Sequence, residues 1–266
     1  MKVAVITGAS SGIGKACALE MAREGYNIAI AARNIDKLNE TKAECEKLGV
    51  KAISVKCDVS IEAECKNLID ETLKAFDQID ILVNNAGISM RAVFEDLNLN
   101  VLKQSMDINF WGMVYCTKYA IKHLIATKGT VVGVSSIAGF RGLPARTGYS
   151  ASKFAMNGFL EALRTENLNT GLHVLTLCPG YTESNIRNTA LTADGSQQGE
   201  SPLNEGKLMT AQEVALQMIK AIKKRKKVLI LTPMGKATVL LNKLFNSFMD
   251  KMTYNFVKKE PDSPFK

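Results

Sequence analysis

Val3-Ala-Val-Ile-Thr-Gly8-Ala-Ser-Ser-Gly12-Ile-Gly14 decides the fold of this 266-residue chain. Residues 3–7 form a short apolar run, which reads as a buried strand of a parallel sheet. Three glycines follow within seven residues, and a helical pattern then runs from Lys15 to Glu24 and stops at Gly25. Glycines in such a turn let the backbone approach a pyrophosphate closely. The helix start behind them offers free N–H groups to the same anion. The spacing is G-x-x-x-G-x-G, with a strand before it and a helix after it, as a dinucleotide cradle requires.

Outward from this stretch the same unit repeats. Apolar strands read at 27–32, 52–57, 79–83, 130–134 and 173–178, and a seventh, shorter one at 228–231. Helical patterns lie between them at 35–48, 61–76, 95–126, 149–168 and 211–223. Thr210-Ala-Gln-Glu213 opens the last of these as a capping box. The long pattern at 95–126 carries Asn109-Phe-Trp-Gly112, which invites a local break. Asparagine competes for backbone hydrogen bonds there, and glycine weakens the helix. Strands alternating with helices predict an α/β fold, a Rossmann-like doubly wound parallel sheet of about seven strands with helices on both faces. The polar or Gly-rich turns at 8–14, 33, 58–59, 84–87, 135–139 and 179–184 all follow strands. They therefore gather at the carboxyl edge of the sheet, where such folds bind ligands.

At that edge Tyr149 and Lys153 are four residues apart, on one face of a helix. An ammonium one turn away favours the phenolate, and a tyrosine so tuned can exchange a proton with a carbonyl or alcohol oxygen. Ser136, thirteen residues upstream, is placed to hydrogen-bond the same oxygen. The second strand ends at Ala32 with Arg33 next, where an acidic residue would hold a ribose 2′-hydroxyl. An arginine pairs instead with a 2′-phosphate, which selects NADP over NAD. Asp58 reads either as an acceptor for an adenine amino group or as a cap for the helix starting near Ile61.

Composition narrows the class further. Apolar residues make up 46% and charged residues 23% of the chain, ordinary values for a globular protein. The amino terminus is too short in apolar residues for a signal peptide, and no run approaches a membrane span. The six cysteines are scattered with no C-x-x-C and read as reduced thiols of a cytosolic protein. Two histidines without ligand spacing predict no metal site. The net charge of +8 is uneven, because residues 221–266 alone hold 11 of the 34 Lys/Arg and 3 of the 26 Asp/Glu. That basic segment lacks interleaved aromatics and a matching fold, so nucleic acid is not the expected partner.

Taken together, residues 3–184 resemble the short-chain dehydrogenase/reductase family. TGASSGIG, Asp58-Val59, NNAG at 84–87, Asn109, VSSIAG at 134–139, YSASK at 149–153 and PG at 179–180 carry the resemblance. It implies that Tyr149 is the general acid/base and that Ser136, rather than Ser135, positions the substrate carbonyl. Lys153 would hold the nicotinamide ribose, and Asn109 would fix, through its backbone, a water that relays protons from Lys153. Gly8, Gly12 and Gly14 would line the pyrophosphate, with Ser10, Ser11 and Ile13 close by. Asp58 and Val59 would contact adenine, and Asn85, Ala86 and Gly87 the adenosine side of the cofactor. Pro179, Gly180, Thr182 and Ser184 would lie near the carboxamide, with Thr182 standing where the family has an aliphatic residue. The spacing of Tyr149 and Lys153 differs from that of the family's enoyl reductases.

The expectation is therefore NADP(H)-dependent interconversion of a carbonyl and an alcohol. Residues 1–235 would form a single catalytic domain, with a lid at about 185–210 over the substrate. Residues 236–266 would be a basic amphipathic C-terminal extension, its apolar helical pattern running over 236–257. That segment reads as packed on its own domain or a second subunit, as a wall for an apolar substrate, or as docked on anionic lipid through residues 223–259. A steroid-like, long-chain or acyl ketone is expected ahead of a sugar or polyol. Homodimers or homotetramers are common in the family. The alternative is an NADP-binding peripheral membrane or scaffold protein with little turnover.

Overall fold

A computed structural model of the chain describes residues 1–182, 185–199, 208–260 and 263–265. The first strand, β1 (Val3–Thr7), is buried along its whole length, as an apolar strand covered on both faces must be. Six more follow: β2 (Asn27–Ala32), β3 (Ala52–Lys56), β4 (Ile81–Asn84), β5 (Thr130–Val134), β6 (His173–Cys178) and β7 (Val228–Ile230). All pair in parallel, in the order β3-β2-β1-β4-β5-β6-β7. The order reverses between β1 and β4, which makes the carboxyl ends of these two strands the topological switch point of the sheet.

Alternation along each strand feeds two cores. Ile28 and Ile30 of β2 face helices α1 (Gly12–Arg23) and α2 (Ile35–Glu46), together with α7 (Ala211–Lys223). Ala29 and Ala31 face the opposite way, towards α3 (Glu62–Phe76), α5 (Gly112–Ala126) and α6 (Thr147–Glu166). Helix α7 begins with the capping box read from the sequence, Thr210 and Glu213 each bonding the other's backbone N–H.

The break foreseen in the long helical pattern is real and specific. Helix α4 (Leu99–Met106) passes into a π-helical turn, Asp107–Trp111, before α5 resumes. The extra residue lodged in that turn carries Asn109 inward, where it is fully buried. The apolar pattern at 236–257 is not one helix but two, α8 (Pro233–Leu244) and α9 (Asn246–Lys258). Phe245, at φ −136° and ψ 59°, leaves helical geometry and turns the chain between them. The pair crosses back over the carboxyl edge of the sheet, where Asn242 of α8 donates to the carbonyl of Phe140.

Candidate functional site

Two cavities adjoin at the carboxyl edge. The smaller, about 330 Å³, lies beside the switch point and is lined by Gly8, Ser10 to Ile13, Arg33, Asp58 and Val59, among others. The larger, about 810 Å³, holds Ser136, Tyr149 and Lys153 on one wall and residues of α8 and α9 on the other. Ile13, Asn85, Gly87 and Ile186 line both and form the waist between them.

The turn after β1 is built for close approach. Gly8 adopts φ +67°, and a Cβ there would sit 2.8 Å from the Cα of Ala86. A Cβ on Gly14 would sit 2.3 Å from the carbonyl oxygen of Gly8. Gly14 thus faces away from the cleft and lets α1 press against the turn, while Gly8 and Gly12 line the cavity. Asn85 stitches the next loop to the turn, its Nδ2 donating to the carbonyls of Thr7 (2.9 Å) and Gly8 (3.2 Å). Asp58 lines the smaller cavity and also organises its own loop, its Oδ1 accepting from the backbone N–H (3.0 Å) and hydroxyl (2.7 Å) of Ser60. Helix α3 starts without a side-chain cap, so the capping alternative for Asp58 is not what forms. Arg33 stands exposed at the mouth of the cleft.

The two serines after β5 divide their work. Ser135 is buried, and its Oγ donates to Asn157 at 2.6 Å, which holds the loop against α6. Ser136 caps a short 3-10 turn (Ile137–Gly139) by accepting from the N–H of Ala138, and it lines the larger cavity. Tyr149 enters three residues into α6 and packs on an apolar cluster of Met90, Ala92, Leu97, Val101 and Leu191. Lys153, one turn on, is buried. Its Nζ donates to the carbonyl of Val134 at 2.8 Å and sits 5.7 Å from the centroid of the Tyr149 ring. Asn109 ties the π turn to this group. It accepts from the N–H of Ile88 at 2.8 Å and donates to the Ile88 carbonyl and to Ser152 Oγ, at 3.0 and 2.9 Å. Pro179, Gly180 and Thr182 line the larger cavity, whereas Ser184 lies outside the described residues. No cluster that could hold a metal ion occurs among the described residues.

The profile of the short chain dehydrogenase family matches residues 2–194. The chain belongs to the short-chain dehydrogenase/reductase family. Among its relatives is the 11-beta-hydroxysteroid dehydrogenase-like protein 4A of Arabidopsis thaliana. The two are 42% identical over 195 residues, which cover 73% of this chain and 65% of that one. The chain thus spans about two thirds of the length of that relative. The Dictyostelium discoideum dehydrogenase/reductase SDR family protein 7-like is 32% identical over 262 residues, 96% of this chain and 81% of its own length. Among solved structures, a Burkholderia phymatum short chain dehydrogenase/reductase in complex with NAD superposes with a TM-score of 0.83 at 26% identity. It covers 93% of this chain and 94% of its own. An alcohol dehydrogenase from Thermococcus sibiricus complexed with 5-hydroxy-NADP gives 0.77 at 27% identity, with 87% and 96% covered.

The electrostatics of this short-chain dehydrogenase/reductase centre on burial. Lys153 is pushed down from 10.5 to about 8 because its ammonium has lost water. Burial, the largest influence, lifts the Tyr149 hydroxyl above the usual tyrosine value. Hydrogen bonding with Ser136 and the charges of Arg146 and Arg187 pull it back. The spacing of Tyr149 and Lys153 does not single out these two arginines, and no motif marks them. Arg146 is legible only in hindsight, as the residue one turn before the tyrosine at the N-cap of α6.

Proposed function

We propose that this protein interconverts a carbonyl and an alcohol with NADP(H), acting on an apolar substrate of the steroid-like, long-chain or acyl ketone type. One observation carries the reading. Tyr149, Ser136 and Lys153 share the wall where a large, mostly apolar chamber opens through a narrow waist into a glycine-lined polar cleft. That cleft fits a dinucleotide. A Cβ on Gly8 would intrude on the loop facing it, and the donors at the start of α1 border it. When bound there, the nicotinamide supplies or accepts the hydride.

The chain's own residues handle the rest. Tyr149 gives its proton to the nascent alkoxide in reduction and takes it back in oxidation, while the Ser136 hydroxyl hydrogen-bonds that oxygen. Lys153 holds the ribose and keeps positive charge beside the phenol. Asn109, fixed in its π turn, holds through its main chain the water that passes protons to Lys153. Ser10, Ser11, Ile13, Val59, Ala86 and Gly87 line the cleft and would bound the cofactor, and Thr182, in the wall of the larger cavity, would contact its carboxamide. Arg33 stands where a 2′-phosphate would emerge, which favours NADP(H). Leu143, Tyr181, Met209, Met249, Met252 and Phe256 give the chamber its apolar walls and favour a substrate of that character. The hydroxysteroid dehydrogenase name of the Arabidopsis relative points the same way.

Membrane contact is a second reading that the surface itself favours. Leu240, Leu244, Phe245 and Phe248 are exposed on α8 and α9, among Lys236, Lys243 and Lys251. Among the described residues no helix is long and apolar enough to cross a membrane, and the contact proposed is a surface one, through 223–259. Self-association as a dimer or tetramer is favoured by Trp111 and Phe154, which are 43% and 46% exposed. Six free, buried cysteines favour a reducing compartment such as the cytoplasm.

Titration with NADPH and NADH, followed by a panel of carbonyls from short polar to long apolar, tests the reading. Oxidation of NADPH by apolar carbonyls is expected. In Tyr149→Phe turnover should fall by at least about 10²-fold while cofactor binding persists. A Tyr149→Phe variant that turned over normally would exclude Tyr149 as the acid/base group.

A further inference from the structure

The cavity is closed on one side by a segment far outside the family match, and that segment ends in a buried acid. Glu260 follows α9, and its side chain is only 4% exposed. Its carboxylate accepts from Arg146 Nη2 with both oxygens, at 2.8 and 3.2 Å, and from Arg91 Nη2 at 3.3 Å. The two guanidinium groups are themselves 14% and 9% exposed. Arg146 lines the larger cavity, stands at the N-cap of α6, and precedes Tyr149 by one turn. An arginine at a helix N-terminus is opposed by the helix dipole. A buried cation there also needs a partner to remain folded and charged.

We infer that Glu260 is a positioning residue of the active site: its carboxylate holds the Arg146 guanidinium in the cavity wall beside Tyr149 and sets how much of that positive charge the tyrosine feels. This role presupposes Tyr149 as the acid/base group, the reading proposed above. The groups that face Tyr149 come from several elements. Arg146 is the N-cap of α6 and Lys153 lies on it, Ser136 caps the 3-10 turn, Cys178 ends β6, and Tyr181 and Arg187 lie beyond it. Arg146 pulls the Tyr149 hydroxyl towards ionisation, and Glu260 neutralises part of Arg146. Arg91 in turn draws part of the Glu260 charge to itself. The three groups form a graded chain of charge that ends at the phenol, and neutralising Glu260 must act on Tyr149 in the opposite direction to neutralising Arg91.

The test is a tyrosinate absorbance titration of the whole protein. Subtracting the titration of Tyr149→Phe isolates Tyr149 from the other five tyrosines. Glu260→Gln is expected to move the Tyr149 midpoint down by about half a pH unit or more, because Arg146 loses its counter-charge. Arg91→Met is expected to move it up, because Glu260 then serves Arg146 alone. Glu260→Asp keeps the charge and should stay near the parent. An unchanged midpoint in Glu260→Gln overturns the inference, and so does a downward shift in Arg91→Met. If Glu260→Gln does not fold, as judged by circular dichroism, the other two variants decide. An Arg91→Met midpoint equal to the parent's then overturns it. The titration needs no substrate. Persistence of turnover in Tyr149→Phe would sink the acid/base reading separately, while the charge chain would still be read.

Discussion

Arg33 follows the last residue of β2, exposed, beside a cleft that contains Asp58 but has no acid at the strand end. A guanidinium there pairs with a phosphate in a fixed fork, whereas a carboxylate would repel it and accept from a hydroxyl. Arg33→Asp is therefore expected to weaken NADPH by about tenfold or more and to tighten NADH, read as the ratio of dissociation constants. An unchanged ratio would remove the basis for NADP preference. Lys153 makes a different point at the same scale. Its fall from 10.5 to about 8 corresponds to about 3 kcal/mol of folding free energy, because a buried ammonium is kept charged after losing its water. The folded value lies below the unfolded one, so the penalty is complete below pH 8. It fades as pH rises from 8 towards 10.5. Lys153→Met should thus lose turnover yet melt a few degrees higher at neutral pH, after part of the gain is lost with the bond to Val134. The gap to the parent should close over that alkaline window. A lower melting temperature in Lys153→Met would show that the lysine supports the fold rather than straining it.

Among the elements, α8 and α9 depart most from their sequence. A single amphipathic pattern runs through 236–257, but periodicity cannot say which face meets the protein when both are apolar. Met234, Leu241, Met252 and Phe256 line the cavity, while Leu240, Leu244 and Phe248 face outward. The outward face lies among lysines, and each basic group near an anionic bilayer surface adds about 1 kcal/mol. Phe248→Asp combined with Leu244→Asp is expected to lower partitioning onto phosphatidylserine vesicles about tenfold or more. The cavity, lined from the other face, should be unaffected. Equal partitioning of parent and variant would exclude this face as a lipid contact. The π turn was better marked. An asparagine and a glycine three residues apart inside a helical pattern signalled a break, although not that the break would be an inserted residue rather than a kink. What the turn achieves, the burial of Asn109 between Ile88 and Ser152, depends on partners 21 and 43 residues away.

For the molecule as a whole, legibility followed sequence distance. Strands, their parallel pairing and the loops at the carboxyl edge were readable because each βα unit is local and buried on both faces. Ser136, Tyr149 and Lys153 were readable because their spacing is short and fixed by one strand and one helix. The contacts that close the chamber were not. Arg141 reaches Asn242, Asn246 and Asp250 across more than 100 residues, and Arg146 reaches Glu260 across 114. Arginines and acids are common on any surface, and no pattern distinguishes those that meet in the interior.

The order in which the chain leaves the ribosome follows from the same distances. The sheet is complete at Ile230, and with it every residue that borders the smaller cavity. The wall of the larger cavity arrives only with the helices that come after, and its clasp only with Glu260. A nascent chain therefore passes through an interval in which the glycine-lined cleft exists and the apolar chamber is still open to water. Chains cut short in that interval would compete for nucleotide without sheltering a substrate. The segment from Pro233 to Glu260 separates a chain with only the glycine-lined cleft from one with a closed chamber beside it.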